Sequence, residues 1–435
     1  MKHDHCLAPG RGRAPVDAAI ARHRYGRLFP SLPPCPAEEE FLFALGRSGG
    51  ICDCGDADDA GGALGTEAAG WPFFGQFIAH DITADRSALR AHVDAARLTN
   101  VRSPQLDLEC LYGDGPVGHP FLYERIDPAK LLLGPGGKDV QRNYEGIAVI
   151  GDPRNDSHVL MSQMHVAFAR AHNRFVDRAR QRGIGDDEVY AWAVRETRWH
   201  YQSAILHEFL PSLISAGFTR QLLEGDVRYY RPNGQPFIPL EFADAAYRYG
   251  HGQIVHKIRL NRTADPVPIF PDLLGFRPVP PQYVVEWSVL FDAPGSTPAE
   301  RAKRLDGRLV RALIELPVAI TGNCEIEEYH SLAVRDLQRG HGVALPSGET
   351  LARHMGIEPL TPKEVGAGRS TGGTPLWYYI LREADVRAGG NRLGPVAARI
   401  VGEVLVGLLQ ADRSSVRYAP EDWRPTATLV EMLTA

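Results

Sequence analysis

The sequence predicts a mainly α fold in a single large domain with few short strands. Three observations carry that expectation. Apolar residues recur at spacings of three and four in two long stretches, starting near His158 and Asp186. Strand-like alternation is short and isolated. Beyond an irregular N-terminal arm, no repeat, low-complexity tract or clean linker divides the chain.

Residues 1–65 are rich in Gly, Pro, Ala and Asp and predict that arm, with one short helix over Glu38–Leu45. Residues 66–435 then form the main domain. Its first helix is predicted over Trp71-Pro-Phe-Phe-Gly-Gln-Phe-Ile-Ala-His-Asp-Ile-Thr83. There Gln76 and His80 share one face, being four residues apart. Asp81 is turned away from them by about 100°. Met161, Met164, Phe168, Ala171 and Phe175 mark the buried face of a long helix, which Arg180, Arg182 and Gly183 bring to an end. A second long helix is expected over Asp186–Ile214, broken at Pro211. Further helices are expected over Pro298–Ile314, Gly348–Met355 and Gly394–Gln410. Pro-rich stretches such as 264–271 and 278–281 read as surface loops.

Composition narrows the function. The 435 residues are 44% hydrophobic and 23% charged, ordinary for a soluble chain with a sizeable core. A net charge of −5 gives no footprint for nucleic acid or an anionic membrane. The opening Met-Lys-His-Asp-His-Cys shows no secretory signal, and Val396–Leu409 is interrupted by Arg399 and Glu403, so a buried helix is expected instead of a membrane span. A cytoplasmic protein with reduced cysteines follows as the expectation. Cys52-Asp-Cys54 is too tight for a zinc knuckle and has no matching pair.

Four segments besides the first helix hold chemically interesting residues. Ser103-Pro-Gln-Leu-Asp-Leu-Glu109 places oxygen-bearing residues at alternate positions, which suits a hard cation with Asp81 as anchor. An amphipathic strand explains the same pattern. Gly151-Asp-Pro-Arg-Asn155 sets Arg154 at a helix entrance, where an arginine is usually solvated. Tyr247-Arg-Tyr-Gly-His251 pairs a histidine with a glycine that admits a flat ligand. Arg339-Gly-His-Gly-Val-Ala-Leu-Pro-Ser-Gly348 leads into a helix without a phosphate-binding Gly-x-x-x-x-Gly-Lys pattern. Taken singly, His80 and His251 read as core or loop histidines.

In order, these segments resemble the animal-type haem peroxidases of the peroxidase–cyclooxygenase superfamily, in particular its short bacterial branch. The resemblance runs from Tyr25-Gly-Arg-Leu-Phe-Pro30 to Trp423. It rests on Gly-Gln-Phe-Ile-x-His-Asp-Ile-Thr, Leu-Tyr-Gly, Gly-Asp-x-Arg-Asn, Met-His-x-x-Phe-x-Arg-x-His-Asn, Tyr-Gly-His and Leu-Pro-Ser-Gly. It implies a haem peroxidase that reduces hydrogen peroxide and oxidises small organic, aromatic donors. His251 is the implied proximal iron ligand, with Arg248 pairing a haem propionate. His80 is the implied distal acid and base, Arg154 the stabiliser of O–O cleavage, and Gln76 a lining residue of the distal pocket. Asp81, Ser103, Gln105 through its carbonyl, Asp107 and Glu109 match the family's calcium loop.

The sequence also departs from the family pattern. Positions that carry ester-forming carboxylates in mammalian members hold Ala79 and Ser157, and the sulfonium-forming methionine is replaced by His158. Haem b held without ester bonds is therefore expected. The family's asparagine against the proximal histidine aligns with Glu349, whose carboxylate would draw the iron's reduction potential down if it reached His251. Fatty-acid dioxygenases and cyclooxygenases share the fold. Arg248 occupies the place of the cyclooxygenase radical tyrosine, although Tyr247 and Tyr249 flank it. An oxygenase or a tailoring enzyme for one specialised metabolite is the alternative reading. An adhesion role is disfavoured, since no Arg-Gly-Asp tripeptide is present.

Overall fold

The computed structural model describes residues 25–55, 64–84, 98–232, 235–324 and 326–434. Residues 1–24 and 56–63 of the expected arm lie outside the described residues. The remainder of the arm holds strand β1 (Tyr25–Gly26) and helix α1 (Glu39–Gly46). Tyr25, Phe29, Leu42, Leu45 and Cys52 from this stretch belong to the main hydrophobic core.

Helix α2 (Trp71–Ile82) starts where Pro72 falls in the first turn, whose N–H groups have no partner within the helix. Phe73, Phe74, Phe77, Ile78, Asp81 and Ile82 are all buried, so the helix is covered nearly all round and sits centrally. Phe77 stacks on Phe168 at 4.8 Å between ring centroids, nearly parallel. That contact joins α2 to the long helix α3 (Val159–Gln181). The first turn of α3 is capped by His158, whose Nδ1 accepts from the Leu160 amide.

Helix α4 (Asp186–Ala204) packs against α3 and is continued by a π-helical turn over Ile205–Phe209 and a last helical stretch, Leu210–Ile214. The expected break at Pro211 therefore takes the form of a widened turn just before the proline. Pro211 has no N–H to donate and its ring crowds the carbonyl four residues back, which a wider turn relieves.

Helices α5 (Leu332–Gly342), α6 (Gly348–His354), α7 (Leu376–Ala388) and α8 (Pro395–Ala411) complete the main helical layer. Gly348 at the start of α6 meets the ring of Tyr379 so closely that an added Cβ would lie 1.9 Å from it, so α6 and α7 can approach only at glycine. Between them α2, α7 and α8 enclose a 3-10 segment, Ala246–Gln253, which carries His251.

Strands are few. β1 pairs in parallel with β3 (Ile238–Pro239), β2 (Leu64–Ala68) pairs antiparallel with β6 (Arg301–Lys303), and β4 (Lys257–Ile258) pairs antiparallel with β5 (Val267–Pro268).

The helix expected over Pro298–Ile314 is not formed. β6 and a turn occupy its first part, and only Arg311–Ile314 is helical. Lys303 explains the difference: its buried ammonium donates to Asp306 and to the Arg304 and Arg308 carbonyls, closing a turn around Gly307 at φ +87°. The apparent Gly-rich loop at 339–342 is in turn the end of α5.

Candidate active site

A cavity of about 330 Å³ lies between α2 and the 3-10 segment, and both His80 and His251 line it. α2 lines it with Pro72, Phe73, Gly75, Gln76, Ala79 and His80, and its C-cap Thr83 follows; Pro72, Gln76, Ala79 and Thr83 form the stripe that helical spacing puts on one side. The sequence-predicted pair Gln76 and His80 thus faces one space, which Arg154 also lines.

On this distal side the His80 Nδ1–H donates to Asn155 Oδ1 at 2.8 Å. The Asn155 amide donates in turn to His165 Nδ1 at 3.4 Å. An amide oxygen can only accept, so it fixes the proton on Nδ1 and leaves His80 Nε2 as a bare lone pair. Burial, reinforced by the Arg154 charge, pushes the His80 pKa down to about 3. The imidazole is neutral at ordinary pH, the state a proton acceptor needs.

Arg154 sits in the 3-10 turn Pro153–Asp156, which Asp152 caps by accepting from the Arg154 amide at 2.9 Å. The same carboxylate takes Arg154 Nε at 3.0 Å and Nη2 at 2.7 Å, a two-point clamp. Nη2 also donates to the His80 carbonyl at 2.9 Å, tying the turn to α2. Burial works against ionisation of Asp152, but Arg154, His80 and Arg102 hold its carboxyl well below the usual range.

Arg102 links this side to the 103–109 stretch. It donates to Asp152 at 2.6 Å and to Glu109 at 3.1 Å. The stretch itself is irregular, ending in Leu108 at φ +61° before a short helix, so the amphipathic-strand explanation fails. Asp81 reaches it from α2: its Oδ2 accepts from the Leu108 amide at 3.0 Å and from the Tyr201 hydroxyl at 3.3 Å. Asp81 Oδ1 is buried with no partner. Burial and the nearby Asp107 push the Asp81 pKa well up, and burial raises Asp107 to about 6.

Buried Asp81 with its orphaned oxygen, beside half-buried Asp107, fits a cation. Glu109 fits less well, because Arg102 and the Ser103 amide already hold its carboxylate. Ser103 and Gln105 lie in the same stretch, half-buried. Among the described residues no group of three or more His, Cys, Asp or Glu is arranged to hold a metal ion.

The proximal side requires one correction. Glu349, expected against His251, accepts instead from the Thr374 amide at 2.9 Å and the Thr374 hydroxyl at 2.7 Å. It lies in the first turn of α6, a favourable place for a carboxylate. The partner of His251 is Asp336 of α5, whose Oδ2 accepts from Nδ1 at 2.6 Å. Arg248, expected to meet a propionate, is engaged by protein groups: Nη1 by Asp336 at 3.2 Å, Nη2 by Asp244 at 3.2 Å, and Nε by the Ala243 carbonyl.

The chemistry of the cavity fits a haem. Three imidazoles border it, His80 and His251 from different elements and His158 beside them, and its remaining lining includes Phe73, Phe242, Ile254, Ile269 and Phe270. A Cβ built on Gly250 would meet only Pro72, at 3.8 Å, so the protein's own packing does not demand glycine beside His251. Among the described lining residues there is no carboxylate. Ala79 faces the space, the Ser157 hydroxyl donates to the Arg154 carbonyl, and His158 donates to the Ile269 carbonyl.

Part of the chain matches a known family. Residues 125–274, which include Arg154 and His251, match the family described as animal haem peroxidase. Over that third of its length the chain is similar to the animal haem peroxidases. It is 32% identical to Drosophila melanogaster peroxidasin over 141 residues, 30% of this chain and 9% of that protein. Mouse (Mus musculus) thyroid peroxidase is 25% identical over 382 residues, 76% of this chain and 40% of the relative. The chain thus spans well under half the length of these curated relatives.

Two solved structures share the fold. Peroxidase A of Dictyostelium discoideum aligns with a TM-score of 0.67 at 15% identity, covering 95% of this chain and 90% of the other. A fatty acid alpha-dioxygenase of Oryza sativa aligns with a TM-score of 0.62 at 16% identity, covering 91% and 75%.

The residues that sequence reasoning missed are Asn155, Asp152, Arg102 and Asp336. Asn155 was visible as part of the Arg-Asn pair, but nothing in the sequence names the partner of a buried amide. Asp336 was hidden because Gly340 and Gly342 masked the helix that carries it.

Proposed function

We propose that this chain is an animal-type haem peroxidase, a hydrogen peroxide-reducing enzyme that binds haem b in the cavity between His80 and His251 and oxidises small aromatic donors. The observation that carries this reading is the pair of imidazoles, His80 and His251, bordering one cavity, each oriented by a different partner on Nδ1. His251 would hold the iron through Nε2, the ring nitrogen left when Nδ1 faces Asp336. The bound haem supplies the redox chemistry.

The chain's own residues then move one proton and steady one charge. His80 Nε2, bare and neutral, accepts a proton from peroxide and hands it to the departing oxygen. Arg154, clamped by Asp152, places a fixed cation near the negative charge that develops. Gln76 offers an amide to water or a small anion at the same face. The aromatic and aliphatic lining favours donors with an apolar ring. Hydrogen peroxide and an organic donor are thus the partners.

The haem is held without ester bonds on this reading, because Ala79 and Ser157 cannot form them and no carboxylate lines the described cavity. Acidified organic solvent should extract it intact; haem left on the protein overturns the point. Calcium would be held by Asp81, Asp107, Ser103 and the Gln105 carbonyl, which supplies a charge to offset the buried carboxylates. No helix among the described residues is long and apolar enough to cross a membrane.

One observation favours a second reading. The Tyr247 hydroxyl is buried without a partner, and the residue lines the cavity with its ring stacked 4.4 Å from Phe242. An oxygenase acting on an apolar substrate would use such a wall. Two measurements decide. A Soret band that shifts on adding peroxide, with turnover of a phenolic donor, supports the peroxidase. Oxygen uptake with a fatty acid and no phenol turnover supports the oxygenase.

A further inference from the structure

The carboxylate behind His251 is fully buried, yet it serves two cations or potential cations at once. Asp336 has 0% of its surface exposed. Its Oδ2 faces His251 Nδ1 at 2.6 Å and its Oδ1 faces Arg248 Nη1 at 3.2 Å. This sharing follows from local geometry. A 3-10 helix has three residues per turn, so side chains three apart eclipse, and Arg248 and His251 project toward the same neighbour. α5 supplies that neighbour from between Ala333 and Leu337, both buried.

A buried carboxylate without a cation would be strongly disfavoured, and Arg248 provides one. Asp244 holds the far side of the same guanidinium, so Arg248 cannot swing away without leaving two acids behind. The shorter contact is nonetheless the one to the imidazole.

We propose that Asp336 is a positioning residue that sets the reduction potential of the iron held by His251, with Arg248 as its opposing weight. The inference rests on His251 being the iron ligand. The carboxylate pulls the Nδ1 proton toward itself, leaves more electron density on the ring and makes Nε2 a stronger donor, which favours ferric over ferrous iron. Arg248 removes part of that charge from Asp336 and moderates the effect. The two residues therefore bias the iron in opposite directions. A ferric-favouring centre selects readily oxidised aromatic donors over halides, which narrows the donor class of the same site.

The test uses the haem-loaded full chain and reads the Fe(III)/Fe(II) midpoint potential by spectroelectrochemical titration. D336N should raise the potential, D336E should restore it toward the parent value, and R248Q should lower it. A merely structural role would not give shifts of opposite sign. An unchanged potential in D336N, or shifts of the same sign in D336N and R248Q, overturns the proposal. Should D336N fail to retain haem, R248Q decides alone: a fall supports the proposal, and no change or a rise overturns it. Loss of haem from both also counts against it, since the pair would then serve retention. Failure of the ligand assignment shows itself separately, as an H251A protein that keeps haem with the parent spectrum and potential.

Discussion

The two sides of the cavity use the same side chain for opposite ends. His80 is buried, faces an amide through Asn155, and is held neutral with Nε2 bare. His251 faces a carboxylate through Asp336 and shares it with an arginine. An amide oxygen fixes a tautomer and adds no net charge. A carboxylate fixes the same tautomer and adds electron density. The partner on Nδ1, more than the histidine, decides whether Nε2 is better suited to take a proton or to hold a metal.

That contrast can be broken from either side. The largest effect is expected at the base itself: H80A should keep its haem while the rate of reaction with peroxide falls by about 10²- to 10⁴-fold, followed by stopped-flow absorbance. H251A, by contrast, should lose haem. Replacing Arg154 by Gln should lower the same rate by about 10²- to 10³-fold, with haem retained. A smaller loss, about 10- to 100-fold, is expected for N155A, which removes the tautomer lock but not the base. Full activity in N155A would show that the Asn155 contact does not matter to His80.

Two further effects act on stability. Buried His158, His165 and His172 each have a pKa lowered to about 4 by burial, and His80 to about 3. Between pH 6.5 and 4 the unfolded chain takes up protons that the folded chain refuses. Stability should therefore fall as the pH drops through that window. Asp107, raised to about 6, and Asp81, raised by burial, act in the opposite sense, because folding holds their protons above the usual carboxylate range. Glu383, pushed up to about 8 by burial, joins the acids, while His200 and His207, lowered by burial, join the histidines; the histidines prevail, and a denaturant midpoint measured at pH 7 and pH 5 should show the net loss. Calcium removal should cost less still: at calcium a hundredfold above its Kd, chelation should remove about 2.7 kcal/mol of apparent stability. An unchanged melting temperature after chelation would mean that Arg102 and Arg198, which reach Glu109 and the Asp107 carbonyl, hold the stretch unaided.

Much of this arrangement was legible in the sequence where a period or a spacing encoded it. The i, i+4 relation of Gln76 and His80, and the apolar face of α3, survive into the structure because a regular helix maps sequence onto space. The helix expected at Pro298–Ile314 did not form, because buried Lys303 and its three oxygen partners create a turn that no periodicity announces. The assignment of Glu349 failed for a related reason. α5 brings Asp336 to His251 from a distant part of the chain, and the pairing is set by how α5 packs. The protein partners of Arg248 were hidden likewise, since they depend on a 3-10 segment that glycine and histidine together leave unadvertised.

The carboxylate-free wall of the cavity has a consequence for the protein's economy in the cell. If the proposed haem is held by one iron bond and by packing, it is a ligand governed by mass action, and its occupancy tracks the concentration of free haem. On the proposed reading the folded chain would fill as haem becomes plentiful and empty as it becomes scarce. The same wall would admit a foreign porphyrin by simple exchange, leaving the chain's sequence to decide which metal centre it makes useful.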